Sequence, residues 1–204
     1  YNKFISMGDT GYKIRDPYGL YFLTFTIVGW LDVFTRKETK QILIDSFKYC
    51  IENKGLVLYA YVIMTNHVHI IARADKSTTG LSDIIRDLKK FTSKAILNWV
   101  KESNKESRKE WMHMVFQYHA KYNTNNSEYQ VWEQNNRPKE IVLPRFARQK
   151  LNYIHYNAVR AGYVDRPEDY PYCSYRAYYD EQRDILLKVE ILDFGSEEGF
   201  IFVV

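Results

Sequence analysis

The spacing of hydrophobic positions changes several times along the chain, and each change marks an element. Residues 19–34 (GLYFLTFTIVGWLDVF) are dense in aromatic and β-branched side chains and predict a strand. Residues 39–53 place Ile42, Ile44, Phe47, Cys50 and Ile51 near helical spacing, and Lys54-Gly55 ends that helix. The run GLVLYAYVIMTNHVHIIARAD is interrupted at Thr65-Asn66, a turn-forming pair, so it predicts strands 56–64 and 67–74 joined as a hairpin. Residues 82–100 carry an apolar face of Ile84, Ile85, Leu88, Phe91, Ala95, Leu97 and Trp99, with Arg86, Lys89, Lys90 and Lys94 largely projecting elsewhere. The charged stretch 101–110 reads as a linker or an extension of that helix. Residues 111–119 and 128–133 predict two short strands around the polar loop KYNTNNS. Between 144 and 161 a proline opens and Gly162 closes a helix. Its Ala147, Leu151, Ile154, Ala158 and Ala161 form a core-facing stripe. Residues 163–180 read as an aromatic, proline-containing loop. The order β-α-β-β-α-β-β-α predicts an α+β fold, an antiparallel β-sheet with packed helices in a ferredoxin-like sandwich.

Charge adds a division to this picture. The 204 residues carry a net charge of +4, which alone does not demand a nucleic-acid partner. From Ala177 onward there are two basic and seven acidic residues, so the tail is −5 and the remainder +9. A basic body with an acidic end is expected if the body meets phosphates. The organisation read from this is an N-terminal extension (1–10, with Met7 a candidate native start), one domain (11–180) and an acidic tail (181–204). The 18 tyrosines and 11 phenylalanines serve core packing and, at exposed positions, base stacking. Cys50 and Cys173 lack metal-ligand spacing and fit a reducing compartment. No apolar run approaches the roughly 18–20 residues of a membrane span, and a cytoplasmic protein without a membrane partner is expected.

Candidate chemistry lies at two places. His67-Val68-His69 falls on a predicted strand, where side chains two apart share a face, so both imidazoles can reach one cation while Val68 packs into the core. The spacing by itself equally fits ordinary surface or core histidines. On the helix 144–161, Gln149, Tyr153 and Asn157 are four apart and lie along one line beside the apolar stripe. A phenol is a competent nucleophile when its site activates it, and an amide oxygen is a hard metal ligand. Tyr156, three residues from Tyr153, is a competing nucleophile, and an amphipathic surface explains these residues equally well.

Taken together, these segments resemble a known family. NHVHII is similar to the His-hydrophobic-His strand of the HUH nucleases, and LNYIHYNAVRAGYV to the tyrosine helix of single-tyrosine, IS200-like transposases. The branch resembled is that of the REP-associated tyrosine transposases, whose helix reads Y-I-x-x-N-P-V-(K/R)-x-G-(W/L/Y)-V. GLYFLTFTIV, LSDIIRDLKKFTSKAI and PEDYPYCSYRAYY resemble its first strand, basic helix and following segment, so the likeness spans about residues 11–180. The resemblance implies an HUH-type sandwich and a metal-dependent single-stranded DNA endonuclease and strand transferase. It implies Tyr153 as nucleophile, forming a 5′-phosphotyrosine, and His67, His69 and Asn157 as ligands to Mg²⁺ or Mn²⁺. Arg86, Lys89, Lys90, Lys94 and Arg160 become the expected DNA contacts. The implied partner is single-stranded or hairpin DNA, the implied setting the bacterial nucleoid, and the active unit a homodimer or a monomer. Ala158 stands where many members have proline, which predicts a straighter helix here. The alternatives are an HUH replication initiator or relaxase, although relaxases usually carry a third histidine, and a catalytically silent module that binds single strands.

Overall fold

The computed structural model describes residues 13–122, 128–179, 185–196 and 199–202. Residues 1–10, the proposed extension, lie outside this range. Strands β1 (Tyr21–Thr26), β2 (Leu56–Ile63), β3 (His67–Ala74) and β4 (Lys139–Glu140) form one antiparallel sheet in the order β2-β3-β1-β4. The predicted hairpin is present, and Met64 N–H donates to the His67 carbonyl across the Thr65-Asn66 turn at 2.9 Å. Helices α1 (Lys37–Asn53) and α2 (Leu81–Glu102) cover one face of the sheet. There Tyr21, Leu23, Phe25, Val68 and Ile70 meet Leu43, Phe47, Ile84, Ile85 and Leu88. Helices α4 (Pro144–His155) and α5 (Asn157–Arg160) cover the other, where Phe22, Val62 and Ile71 meet Ala147, Leu151, Ile154 and Ala158. Alternating β1 and β3 residues therefore serve two cores, as a sheet buried on both faces requires. A register shift between Leu58 and Ala60 puts Tyr59 and Ala60 on the α4 side together, a bulge that bends β2.

Several expectations change. The strand predicted over 19–34 ends at Thr26, because Gly29 and Trp30 take left-handed conformations (φ 62° and 54°) and turn the chain. Residues 111–119 are not a strand but lie within helix α3 (Lys109–Lys121). The apolar alternation of Met112, Met114, Phe116 and Tyr118 mimics a strand, yet the buried set is Met112, Phe116 and Ala120, at helical steps of four. Residues 128–133 run extended, joined to the end of β1 by the single bridge Ile27–Trp132 rather than as a strand. The helix predicted over 144–161 is not continuous: it breaks at Tyr156 (φ −95°, ψ 9°), two residues before Ala158. Its C-terminal end closes as expected: Gly162 is left-handed, its N–H donates to Val159, and the Tyr163 N–H donates to Ala158. Ala161, read as part of the core stripe, is exposed. Within 163–180 a short helix α6 (Tyr175–Tyr179) forms, and Cys173 bridges to Val62 of β2.

The chain returns to the sheet after the loop: Leu187 and Leu192 are buried, and the Glu190 N–H donates to the Leu58 carbonyl at 2.8 Å. A hairpin of β5 (Leu192–Ser196) and β6 (Gly199–Phe202) follows. Among the described residues no helix is long and apolar enough to cross a membrane.

Candidate active site

The register of the sheet builds the site. Thr24 of β1 lies opposite His69 of β3, and Thr26 opposite His67, so all four side chains share the face toward α4. Val68 points the other way and is fully buried. The two imidazole centroids are 4.8 Å apart. Phe22 stacks on His69 at 5.3 Å, and Tyr153 of α4 meets the same ring edge-on at 5.1 Å. The helix and the strand hairpin thus bring Tyr153 to the histidine pair within one chain.

These residues line a cleft of about 620 Å³ together with Thr24, Thr26, Trp30, Asn157 and four cations, Arg137, Lys139, Lys150 and Arg160. Among the described residues no Asp or Glu lines it. The Arg160 guanidinium sits 4.7 Å from the centre of the Tyr153 ring and also donates to the Tyr153 carbonyl. Lys150 Nζ lies 4.9 Å from the Phe22 ring and 5.5 Å from that of Tyr153. A cationic, acid-free cleft attracts an anion such as a phosphodiester. Two non-glycine residues among those described have left-handed backbones, Trp30 (φ 54°) and Arg137 (φ 44°), and both line this cleft. Each such conformation costs about 1 kcal/mol or more, and strain of this kind gathers at working sites.

Both histidines are held neutral. Burial lowers the pKa of His67. Burial, with the neighbouring His67, Lys150 and Arg160, pushes His69 down to about 3. His69 Nδ1 contacts Thr24 Oγ1 at 2.9 Å, whereas its buried Nε2 has no hydrogen-bond partner among the described residues. An orphaned buried nitrogen costs about 1–3 kcal/mol, and a cation in the cleft would satisfy it. Asn157 lines the same cleft, largely buried. Neutral imidazoles with an amide oxygen nearby fit a divalent ion. Among the described residues no third His, Cys, Asp or Glu joins the pair.

The expected basic contacts divide. Arg160 is in the cleft. Arg86, Lys89, Lys90 and Lys94 belong to α2, on the opposite face of the sheet. Lys89 is committed inside the fold, its Nζ donating to the Glu133 carbonyl at 2.5 Å and Asn136 Oδ1 at 2.7 Å. Arg86 pairs with Asp83 and Asp87. Lys90 and Lys94 face a separate groove between α2 and α3, with Lys101 and Lys109. Neither Gln149 nor Tyr156 lines the cleft; Tyr156 turns toward Tyr175. Sequence reasoning missed Arg137, Lys139, Lys150 and Trp30. Lys150 was open to detection, one helical turn before Tyr153; Arg137 and Lys139 arrive only through the pairing of β4 with β1.

Residues 30–134 match the model of the family described as "Transposase IS200 like". The chain belongs to the IS200-like transposase family. The matched span contains the histidine strand and ends before Tyr153. A curated Haemophilus influenzae protein named for the REP-associated tyrosine transposases is 23% identical over 188 residues, covering 87% of this chain and 88% of its own. A solved REP-associated tyrosine transposase bound to a REP hairpin shares the fold, with a TM-score of 0.57 at 19% identity, over 93% of this chain and 98% of that one. This IS200-like transposase thus keeps the α+β fold expected from its sequence.

Proposed function

We propose that the chain is a divalent-metal-dependent endonuclease and strand transferase for single-stranded DNA, acting at hairpin-associated sites through Tyr153. The observation that carries this is the meeting of Tyr153 with the His67–His69 pair in one basic, acid-free cleft. His67, His69 and Asn157 would hold Mg²⁺ or Mn²⁺, which supplies Lewis-acid polarisation of the scissile phosphate. With no carboxylate in the cleft among the described residues, the phosphate itself would supply the anionic partner such an ion needs.

Arg160, Lys150, Lys139 and Arg137 bind and orient the backbone phosphates. The Tyr153 oxygen attacks phosphorus, the bond to the 3′ oxygen breaks, and that oxygen leaves as a hydroxyl after taking up a proton. The phenolic proton passes to solvent. The phosphodiester energy is kept in the 5′-phosphotyrosine, so a second 3′-hydroxyl reverses the step and joins new ends without ATP. Likeness to a solved relative bound to a REP hairpin supports a hairpin substrate, and likeness to a Haemophilus influenzae relative supports a bacterial setting. Tyr153 and the histidines meet within one chain, which supports cleavage in cis by a monomer over exchange of the tyrosine helix in a homodimer. Lys90 and Lys94 would contact only DNA that wraps past the cleft. The absence of a third titratable ligand among the described residues disfavours a relaxase.

Hairpin-flanked single-stranded DNA incubated with Mn²⁺ or Mg²⁺ should yield a protein–DNA adduct that survives a denaturing gel and disappears with a chelator. No adduct across varied hairpin substrates, with binding intact, would leave a silent binding module instead. Trp30, exposed and edge-on to His67 at 6.0 Å, is placed to stack on a base beside the scissile phosphate. Trp30→Ala should weaken single-strand binding by about 1–3 kcal/mol, read by fluorescence anisotropy, with duplex binding unchanged.

A further inference from the structure

Asn66 occupies the turn between β2 and β3, one residue before His67. Its Nδ2 donates to Asp32 Oδ1 at 3.1 Å and to the Trp30 carbonyl at 3.4 Å. Both partners are acceptors only, so they fix the amide: the nitrogen must face them and Oδ1 must face the other way. Oδ1 lies 2.7 Å from His67 Nδ1. An amide oxygen cannot donate, so the proton in that contact belongs to the imidazole. The backbone locks this geometry from both sides. The Asn66 carbonyl accepts the Ile27 N–H at 2.9 Å, and the Thr65 carbonyl accepts the Phe34 N–H at 2.7 Å, which ties the turn to the segment carrying Asp32.

We infer that Asn66, anchored by Asp32, is a positioning residue that sets the tautomer of His67, keeping the proton on Nδ1 and leaving Nε2 as the nitrogen with a free lone pair. A donor–acceptor chain from carboxylate through amide to imidazole does for His67 what a carboxylate does directly for many metal-bound histidines: it fixes the ring and raises the basicity of the ligating nitrogen. The inserted amide changes one thing. A carboxylate against Nδ1 would add a formal negative charge beside the ring, whereas the amide orients the ring and leaves the charge one residue further away, on Asp32. The same carboxylate also reaches, through Asn66, the left-handed turn that carries Trp30, so ring orientation and the cleft wall are set by one contact network. The value of this tautomer rests on reading His67 as a metal ligand; the tautomer itself does not.

The test uses the metal-free protein with ¹⁵N-labelled histidine and long-range nitrogen–proton NMR, the His67 signals being assigned by their loss in His67→Gln. Wild type should show Nδ1–H. Asn66→Ala should move His67 toward Nε2–H, the form free histidine side chains favour, and weaken Mn²⁺ binding about 10- to 100-fold by titration calorimetry in the presence of uncleaved hairpin DNA. The swap Asp32→Asn with Asn66→Asp reverses donor and acceptor between the two positions yet keeps an acceptor against Nδ1, so it should retain Nδ1–H. Nε2–H in wild type, or Nδ1–H surviving in Asn66→Ala, overturns the inference. Tautomers as expected in a protein that binds no Mn²⁺ would support the inference and defeat the reading of His67 as a ligand.

Discussion

Tyr153→Phe should abolish the covalent adduct on denaturing gels and lower strand cleavage by at least about 10³-fold, since removing a nucleophile leaves only the binding contribution to rate. Hairpin affinity should stay within about twofold, because the cations Arg137, Lys139, Lys150 and Arg160 are untouched. The substitution deletes one oxygen and keeps the ring that meets His69, Phe22, Lys150 and Arg160. Tyr153 is also partly exposed, so stability should change by less than about 0.5 kcal/mol. The control is Tyr156→Phe. That ring, on the residue where the helix breaks, is exposed, meets Tyr175 and lines no part of the cleft, so its adduct yield should match wild type. Reversed results for the two variants would remove Tyr153 from the reaction.

Particular residues show why the sequence revealed one half of this site and concealed the other. His67 and His69 are readable because strand alternation is strict: one intervening residue guarantees a shared face, and Val68 packs into the opposite core. Tyr153 and Asn157 are readable as a four-residue step, although the helix bends at Tyr156 between them, because both stay on the cleft side. The basic residues of α2 fall outside the cleft for a reason of layer. Lysines on α2 look available from helical periodicity alone, yet periodicity does not say on which face of the sheet a helix lies. Lys139 reaches the cleft by pairing beside Phe22, and Arg137 follows Asn136, whose carbonyl accepts the Thr24 N–H, contacts between residues more than a hundred apart. Helix α3 was lost to an ambiguity of period, since two methionines and two aromatics at alternate positions fit a strand until burial separates Met112 and Phe116 from Met114 and Tyr118. Trp30 carried no sequence signal at all: its left-handed backbone is a property of the turn, not of its residue type.

His69→Ala should remove metal-dependent cleavage, by at least about 10²-fold, while making the metal-free protein more tolerant of acid. The first effect follows from losing one of two imidazoles where no His, Cys, Asp or Glu among the described residues can replace it. Hairpin binding should persist within about threefold, which separates loss of chemistry from loss of substrate. The second effect follows from proton linkage. The folded chain holds His69 near 3, against about 6.5 when unfolded, so unfolding takes up a proton between those values. Stability is therefore complete above about pH 6.5 and is lost progressively as pH falls toward 3. Between pH 7 and pH 5 one such histidine withdraws about 2 kcal/mol. A second behaves alike: His155, buried beneath Tyr175 and Tyr178 with Nε2 against Ser174 Oγ, is also pushed down to about 3 by burial. His67, whose pKa burial also lowers, adds to the same loss, so His69→Ala should remove about 2 kcal/mol of the acid-induced loss and leave the rest, measured as the difference in unfolding free energy between pH 7 and pH 5 in the presence of chelator. An equal acid loss in both proteins would show that His69 is not held neutral, and its case as a ready metal ligand would fall with it.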